Sequence, residues 1–329
     1  MGELTDRKAI QRCHAGYCRQ GAARGLVLAA LVGASLSFAA VARPLQQTTN
    51  FDGDRAMADL RKQVAFGPRV PTTKGHEECR DWLKAELAKS CDSVFLQPFT
   101  HKWSRNDKVL PMDNIVGEVN WKDATTRVAL FAHWDTRPTA DQEYDAERAA
   151  KPIPGANDGA SGVAVLLELA RVIKAKPLDK SIGIRFVLVD GEDVGPGLDE
   201  MFLGATHYAK SEGRKGDYGI LLDMIGDKDL RVPKEPNSAR LAPKLTNALY
   251  EHAKAVGLGS TFPDSFQGEI YDDHLALNEG GIPTVDLIDF TYQPWHTLED
   301  TVDKCSATSL FKVGKLLETW LRKSPVWKP

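Results

Sequence analysis

The sequence predicts an α/β fold: a single globular domain with a central mixed, mainly parallel twisted sheet flanked by helices. Two observations predict it. Apolar runs rich in β-branched and aromatic residues alternate with stretches of helical periodicity, a pattern typical of right-handed crossovers onto a buried sheet. Short segments that carry acids or histidine recur after such runs, where an open α/β sheet binds its ligands.

The first 42 residues have the pattern of a secretory signal peptide. Five arginines and lysines within residues 1–24 precede an apolar run over 26–41, which ends in Ala40-Val41-Ala42 ahead of Arg43. We therefore predict a signal peptide at 1–42, one domain at 43–329, and a secreted or periplasmic protein. An uncleaved anchor is the alternative, but the run is shorter than the roughly 20 residues of a membrane-spanning helix.

The remaining elements follow in order along residues 43–329. Residues 73–88 place Trp82, Leu83 and Leu87 on one helical face, and 162–175 have almost no polar face in their first half. Helices are predicted at 73–88, 162–175, 201–210, 242–256 and 309–322. Strands are predicted at 114–119, 127–131, 182–189, 218–224 and 282–288. The polar, proline-bearing segments 135–154 and 227–240 are expected to be loops around a site.

Charge and cysteine content exclude several kinds of site. The formal net charge is −3 and no basic run marks a nucleic-acid surface. Cys79, Cys91 and Cys305 remain after the predicted cleavage, and none has metal-ligand spacing. A helix between Cys79 and Cys91 would hold them too far apart for a disulfide. A bridge from either to Cys305 stays open.

Five segments supply the residue types of a metal centre. Zinc accepts histidine nitrogen and carboxylate oxygen, and His133, Asp158, Asp193, Asp223 and His296 come from five separate segments, each expected after a strand. Each has a plainer interpretation when taken alone. Asp158 precedes a helix and could cap it, His133 could be a core histidine, and Asp223 could belong to a turn.

The adjacent acids Glu192 and Asp193 are harder to explain without a site. Side chains of neighbouring residues at a strand end point in different directions. One can therefore bind metal while the other faces substrate. A glutamate buried beside a metal is suited to proton transfer.

These segments resemble the zinc aminopeptidase and glutaminyl cyclase superfamily. The resemblance covers nearly all of residues 43–329, beginning at Phe66-Gly67-Pro68-Arg69-Val70-Pro71. It implies a zinc-exopeptidase-like, phosphorylase/hydrolase-like topology. It also implies that Asp158, Asp193 and His296 bind zinc and that Glu192 moves protons.

The branch of the superfamily decides the activity. Aminopeptidases of the group usually bind two zinc ions, and the chain has all five positions for them, including His133 and Asp223. Cyclases keep one ion, with the equivalents of Asp223 and a further acid, here Asp272, hydrogen-bonding around the substrate. Tyr271-Asp272-Asp273-His274, Trp295 before His296, and His133-Trp134-Asp135-Thr136-Arg137-Pro138 resemble bacterial relatives of the animal-type cyclases.

Two positions depart from the animal pattern. The acid pair is Glu-Asp rather than Glu-Glu, so Asp193 is a methylene shorter, and either zinc must lie closer to its strand or the strand must move. Leu198 stands where animal cyclases place a second pocket tryptophan, which puts that wall of the pocket in question.

The resemblance therefore predicts a one-zinc glutaminyl-peptide cyclotransferase with catalytic residues Glu192, Asp223 and Asp272 and with Trp295 against the substrate. His133 is expected to contact the site by a hydrogen bond or to bind a second metal. The expected partner is a peptide or protein with an N-terminal glutamine, without nucleic acid or membrane, and the enzyme is expected to be a monomer. A two-zinc aminopeptidase is the alternative. A binding protein that has lost the chemistry is a third interpretation, and the complete ligand set argues against it.

Overall fold

Six strands form one central sheet in the computed structural model, which describes residues 49–212 and 215–323. Their spatial order is β1-β2-β4-β3-β5-β6. The strands are β1 (Ser93–Lys102), β2 (Val109–Val119), β3 (Thr126–His133), β4 (Ile182–Val189), β5 (Tyr218–Asp223) and β6 (Thr284–Ile288).

The sheet is mixed but mainly parallel, as the sequence predicts. β1, β2 and β4 pair antiparallel, whereas β4, β3, β5 and β6 pair parallel. The register places His133 beside Val189 and Phe131 beside Leu221. The carboxyl ends of β3, β4 and β5 therefore meet at one edge of the sheet, which is where parallel sheets bind ligands.

Helices cover both faces of the sheet. They are α1 (Gly53–Val64), α2 (Lys74–Ala88), α3 (Ala146–Ala149), α4 (Ala160–Ala175), α5 (Leu203–Glu212), α6 (Pro236–Leu241), α7 (Pro243–Ala255), α8 (Asp273–Glu279) and α9 (Ala307–Leu321). Because neighbouring strand residues point to opposite faces, Leu130 of β3 packs in the core with α1, α4 and α9, while Phe131 packs with α5 and α8. This two-sided burial explains the continuous apolar character of the parallel strands.

Helix α4 begins beside the edge of the sheet where the strands' carboxyl ends meet. Almost all of it is buried, as its apolar sequence predicts. A Cβ atom on Gly162 would lie 2.4 Å from the backbone oxygen of Leu222 in β5. Only glycine therefore allows the start of this helix to pack so closely against the strand.

The predicted elements are confirmed with shifts of a few residues at their ends, and the predicted strand 182–189 coincides with β4. Helices α1, α3, α6 and α8 and strand β1 were not predicted, and α3 and most of α6 lie in the segments 135–154 and 227–240, which were predicted to be loops. Strand β1 contains Pro98 and lies at the sheet edge with half of its side chains exposed. It therefore lacks the apolar run that marks the inner strands.

The cysteines in the described part of the chain are buried free thiols: Cys79, Cys91 and Cys305. This agrees with the prediction that Cys79 and Cys91 do not bond, and the structure has neither of them bridged to Cys305. The predicted signal peptide at 1–42, with Cys13 and Cys18, lies outside the described residues. Within the described residues, no helix has the length and apolar character needed to cross a membrane.

Candidate metal centre and its cleft

The candidate residues converge on one cleft at the carboxyl edge of the sheet. His133 is the last residue of β3 and Asp223 the last of β5, and the acid pair follows β4. The cleft has a volume of about 330 Å³. The predicted residues that line it are Asp158, Glu192, Asp223, Asp272, Trp295 and His296. Asp193 and His133 lie buried directly beneath them.

Two of the five segments do not follow a strand directly, and the prediction that all five do so was wrong. Asp158 lies in the loop ahead of α4, and His296 lies in the turns after β6. The capping interpretation of Asp158 is also wrong, because Gly159 is the N-cap residue of α4 and no side chain caps that end. A Cβ atom on Gly159 would lie 2.6 Å from the backbone oxygen of Asp135, so glycine lets this loop approach β3.

The first group of donors consists of Asp158, Asp193 and His296. Nε2 of His296 lies 3.3 Å from Oδ1 of Asp193 and 3.6 Å from Oδ2 of Asp158. The Oδ2 atoms of both aspartates are buried and accept no hydrogen bond from the described part of the chain. Two carboxylates and one imidazole whose free oxygen and nitrogen atoms lie close together are a typical ligand set of a catalytic zinc site. These three residues therefore fit a zinc ion.

Two residues that the sequence did not single out hold this group in place. Asp141 lies 3.1 Å from Nδ1 of His296, which orients Nε2 toward the aspartates, a common arrangement for metal-binding histidines. Arg137 donates to Oδ1 of Asp193 at 3.0 Å and to Oδ2 of Asp141 at 2.8 Å. Burial alone would raise the pKa of Asp193, but His296 and Arg137 hold it well below its ordinary range. Arg137, which contacts both Asp193 and Asp141, belongs to the segment 133–138 that resembles bacterial cyclases.

The second group consists of His133, Asp158 and Asp223. Nε2 of His133 lies 3.1 Å from Oδ1 of Asp158 and 3.1 Å from Oδ1 of Asp223. Asp158 belongs to both groups. The geometry therefore brings all five metal-ligand candidates together, and His133 is placed both to hydrogen-bond and to bind a second ion.

Glu192 faces the cleft from a rigid backbone. The N–H groups of Glu192 and Asp193 donate to the two carboxylate oxygens of Asp135 at 3.2 and 3.1 Å. Glu192 is buried, with 8 % of the residue exposed. Burial, reinforced by the charge of Asp193, raises its pKa well above the ordinary value.

The loop that carries Asp158 is fixed by two further buried residues. Asp300 accepts hydrogen bonds from the N–H groups of Asn157 and Asp158 at 2.8 and 3.2 Å. Arg69, from the motif at 66–71, donates to the backbone oxygens of Pro154 and Gly155 at 2.9 and 2.6 Å. The arginine therefore satisfies carbonyl groups that the tight turn at 154–155 would otherwise bury unpaired.

Asp272 lines the cleft and belongs to a cluster of buried acids with Asp273 and Asp286, which do not line it. It caps α8, and its Oδ1 accepts the N–H of Asp273 at 2.5 Å. Its Oδ2 accepts no bond from the described residues, and neither do the carboxylate oxygens of Asp273 and Asp286. Burial and the neighbouring acids raise the pKa of Asp272 and Asp286 well above their ordinary range. Burial also raises the pKa of Asp273 to about 8.

The cleft is also lined by apolar side chains. The ring of Trp295 stacks on His296 with centroids 4.0 Å apart and lies 4.9 Å from the ring of Phe290. Leu198 lines the same cleft and is 58 % exposed. The cleft therefore has an exposed leucine at the position where animal cyclases place a second tryptophan.

Comparison with known proteins gives the same superfamily. The family model for peptidase family M28 matches residues 114–321. Aminopeptidase YwaD of Bacillus subtilis is 29% identical over 205 residues, which are 58% of this chain and 39% of that protein. The chain thus spans well under two thirds of this relative.

Solved structures cover the chain more fully. A glutaminyl cyclase from Bacteroides thetaiotaomicron, bound to N-acetylhistamine, is 35% identical with a TM-score of 0.79, over 84% of this chain and 99% of that one. A leucine aminopeptidase precursor from the same organism is also 35% identical, with a TM-score of 0.80, over 84% and 98%.

Proposed function

The chain belongs to peptidase family M28, and on that premise we propose that it is a glutaminyl-peptide cyclotransferase. It would convert an N-terminal glutamine to pyroglutamate and release ammonia. Asp272 carries this proposal. It is a buried carboxyl that lines the cleft beside Asp223 and Glu192. It lies outside the two donor groups that share Asp158, and its own buried neighbours are His274 and Asp286.

The substrate brings both reacting groups. The α-amine of an N-terminal glutamine attacks the carbon of its own side-chain amide, forming the ring bond, and the bond to the amide nitrogen breaks. The site therefore has to orient one molecule and stabilise charge. A zinc ion on Asp158, Asp193 and His296 would supply Lewis-acid polarisation of the amide carbonyl.

The proton path runs through Glu192. Its carboxylate faces the cleft, so it can take a proton from the attacking amine and deliver it to the departing ammonia. The backbone bonds to Asp135 keep its position fixed during both transfers.

Asp223 and Asp272 hold the amine. Both line the cleft, and a carboxyl oxygen accepts hydrogen bonds from an ammonium or amine. The ring of Trp295 stacks on the ring of His296, and in this position it would restrict access of bulk water to the reacting atoms. Exclusion of water favours cyclisation, which uses no water, over hydrolysis.

The alternative is a two-metal aminopeptidase. The observation that favours it is the second donor group, in which Nε2 of His133 lies 3.1 Å from both Asp158 and Asp223. In that case Glu192 would take a proton from a water molecule that attacks the peptide carbonyl. The leucine aminopeptidase precursor among the similar structures supports the same possibility.

We further propose that the partner is a peptide or protein with an N-terminal glutamine and that the enzyme acts as a monomer outside the cytoplasm. The pattern at 1–42 supports the location.

Ammonia release tests the proposed activity. Purified zinc-loaded protein should release ammonia from glutaminyl dipeptides and should leave leucyl-anilides unchanged. Asp272→Asn is the diagnostic variant, because it keeps the shape of the side chain but replaces one hydrogen-bond-accepting oxygen with an NH2 group that cannot accept from the amine. It should lower ammonia release while zinc content stays at the parent level. A protein that frees leucine and spares glutaminyl peptides would be the peptidase instead.

A further inference from the structure

Exposed apolar side chains gather at the mouth of the cleft. Leu198 is 58 % exposed, Tyr271 61 % and Phe290 44 %, and all three line the cleft. Large apolar side chains that are exposed together, next to a polar site, mark a binding surface. We refer to Leu198, Tyr271 and Phe290 as the apolar rim.

We propose that the apolar rim is the subsite for the second residue of the substrate and that it selects apolar, above all aromatic, side chains. This inference rests on the proposed function, because it assumes that the N-terminal residue lies on the floor of the cleft. The residues after the N-terminal one would contact the apolar rim, because it surrounds the opening of the cleft.

The layering of the cleft supports this order. Its floor is formed by the buried carboxyls of Asp158 and Asp272 and by His296, which suit the amine and amide of the first residue. Rim and floor are adjacent along the chain, since Tyr271 directly precedes Asp272. A side chain one residue further along the substrate would therefore leave the polar floor and reach the rim.

The rim has aromatic surfaces on which a ring can pack. Phe290 lies at 57° to the ring of Trp295 with centroids 4.9 Å apart. This tilted pair presents an apolar corner to the cleft, and Tyr271 adds a largely exposed ring. Tilted and offset ring contacts are the arrangements that aromatic side chains prefer.

The charges around the cleft disfavour an acidic second residue. Six of the side chains that line it are carboxyls: Asp141, Asp158, Glu192, Asp223, Glu269 and Asp272. Arg137 also lines it, but its guanidinium is already paired with Asp141 and Asp193. Glu269 is exposed at the rim, where it would repel a carboxylate on the substrate.

Three peptides of equal length test the subsite: Gln-Phe, Gln-Gly and Gln-Glu, each followed by the same alanine amide. We expect kcat/KM for Gln-Phe to exceed that for Gln-Gly by about tenfold, which corresponds to partial burial of one aromatic side chain. Gln-Glu should be the poorest substrate. Tyr271→Ala combined with Phe290→Ala should reduce the Phe-to-Gly ratio to about twofold or less, consistent with removal of that burial.

Two further variants separate the rim from general effects. Phe95→Ala removes an aromatic side chain that is 36 % exposed on β1 and does not line the cleft, so the ratio should stay at the parent value. Glu269→Gln should raise the ratio of kcat/KM for Gln-Glu to kcat/KM for Gln-Phe by about threefold, in keeping with an exposed charge pair.

The ratio is read from whichever product forms, ammonia or the freed first residue, so the subsite is tested under either chemistry. A Phe-to-Gly ratio within twofold in the parent, or one that the rim variants leave unchanged, would overturn the subsite proposal. Release of glutamine without ammonia would overturn the proposed function alone. No product from any of the three peptides would overturn both.

Discussion

The guanidinium of Arg137 lies 3.0 Å from Oδ1 of Asp193 and 2.8 Å from Oδ2 of Asp141, whose other oxygen lies 3.1 Å from Nδ1 of His296. One arginine thus bridges the outer sides of two zinc-ligand candidates. Asp193 is a methylene shorter than the glutamate expected from animal cyclases, and Arg137 fixes this shorter side chain from behind.

Replacing Arg137 should therefore weaken zinc binding. Arg137→Gln should raise the zinc dissociation constant by about 10- to 100-fold, the usual effect of losing a residue that orients a metal ligand. Asp141→Asn should act in the same direction. The measurement is competition with a chromogenic chelator. Arg80→Gln, which breaks only partly exposed ion pairs with Asp81 and Asp113, is the control and should bind zinc like the parent. Parent-like affinity in Arg137→Gln would remove the arginine from the metal centre.

Glu192→Gln separates chemistry from metal binding. The variant keeps the size of the side chain but cannot carry a proton. Turnover should fall by about 10²- to 10⁴-fold, the range of positioned acid–base groups, while KM changes little. Zinc content should stay at the parent level, whereas Asp193→Ala should lose zinc and activity together. If Glu192→Gln were fully loaded and within about threefold of the parent rate, well below that range, Glu192 would not be the proton carrier.

His133→Ala decides how many ions the site holds. We expect one zinc per chain in the parent and in the variant, because Asp158, Asp193 and His296 remain. Elemental analysis of the purified proteins gives the ratio directly. Two ions in the parent and one in His133→Ala would show that the second donor group binds metal, and would favour the peptidase.

A histidine remote from the cleft should govern part of the acid stability. Burial lowers the pKa of His252 to about 4, and its Nε2 lies 2.9 Å from Oγ1 of Thr319. Because the pKa is near 6.5 in the unfolded chain, the unfolded state binds the proton first as pH falls. The stabilisation is full above about pH 6.5 and is lost toward pH 4, by at most about 3 kcal/mol.

Urea unfolding between pH 4 and 7 tests this effect, within the range of those two pKa values. His252→Gln retains a hydrogen-bonding group for Thr319 but does not titrate. Its free energy of unfolding should therefore vary less with pH than that of the parent. Parallel pH profiles for the two proteins would mean that other groups cause the acid sensitivity.

The inner sheet was predictable because burial on both faces leaves a readable signal. The predicted strand 182–189 coincides with β4, whose side chains are all buried. Strand β1 gave no such signal, since Pro98 and its alternating exposure resemble a loop. Helix α8 was missed because it is short and begins in the acidic run at 272–273, which indicates a site more strongly than a helix.

The site residues that lie next to a recognisable strand could be predicted from the sequence. The contacts between residues far apart in the sequence could not. His133 and Asp223 end strands, and the acid pair follows β4. The bond of Arg137 to Asp193 spans 56 positions, and the contact of Asp141 with His296 spans 155. Only the three-dimensional fold brings such residues together. The motif at 133–138 contained Arg137, but its role required the position of Asp193.

The most direct test of the proposed activity uses one peptide that both chemistries can alter: Gln-Leu followed by a short neutral tail. Mass spectrometry after incubation with the zinc-loaded enzyme distinguishes the products. A glutaminyl cyclotransferase should yield the full-length peptide lighter by one ammonia, and Glu192→Gln should form that product at least about 100-fold more slowly under matched conditions. A peptide shortened by its first residue, with free glutamine in solution, would contradict the assignment and identify the enzyme as an aminopeptidase.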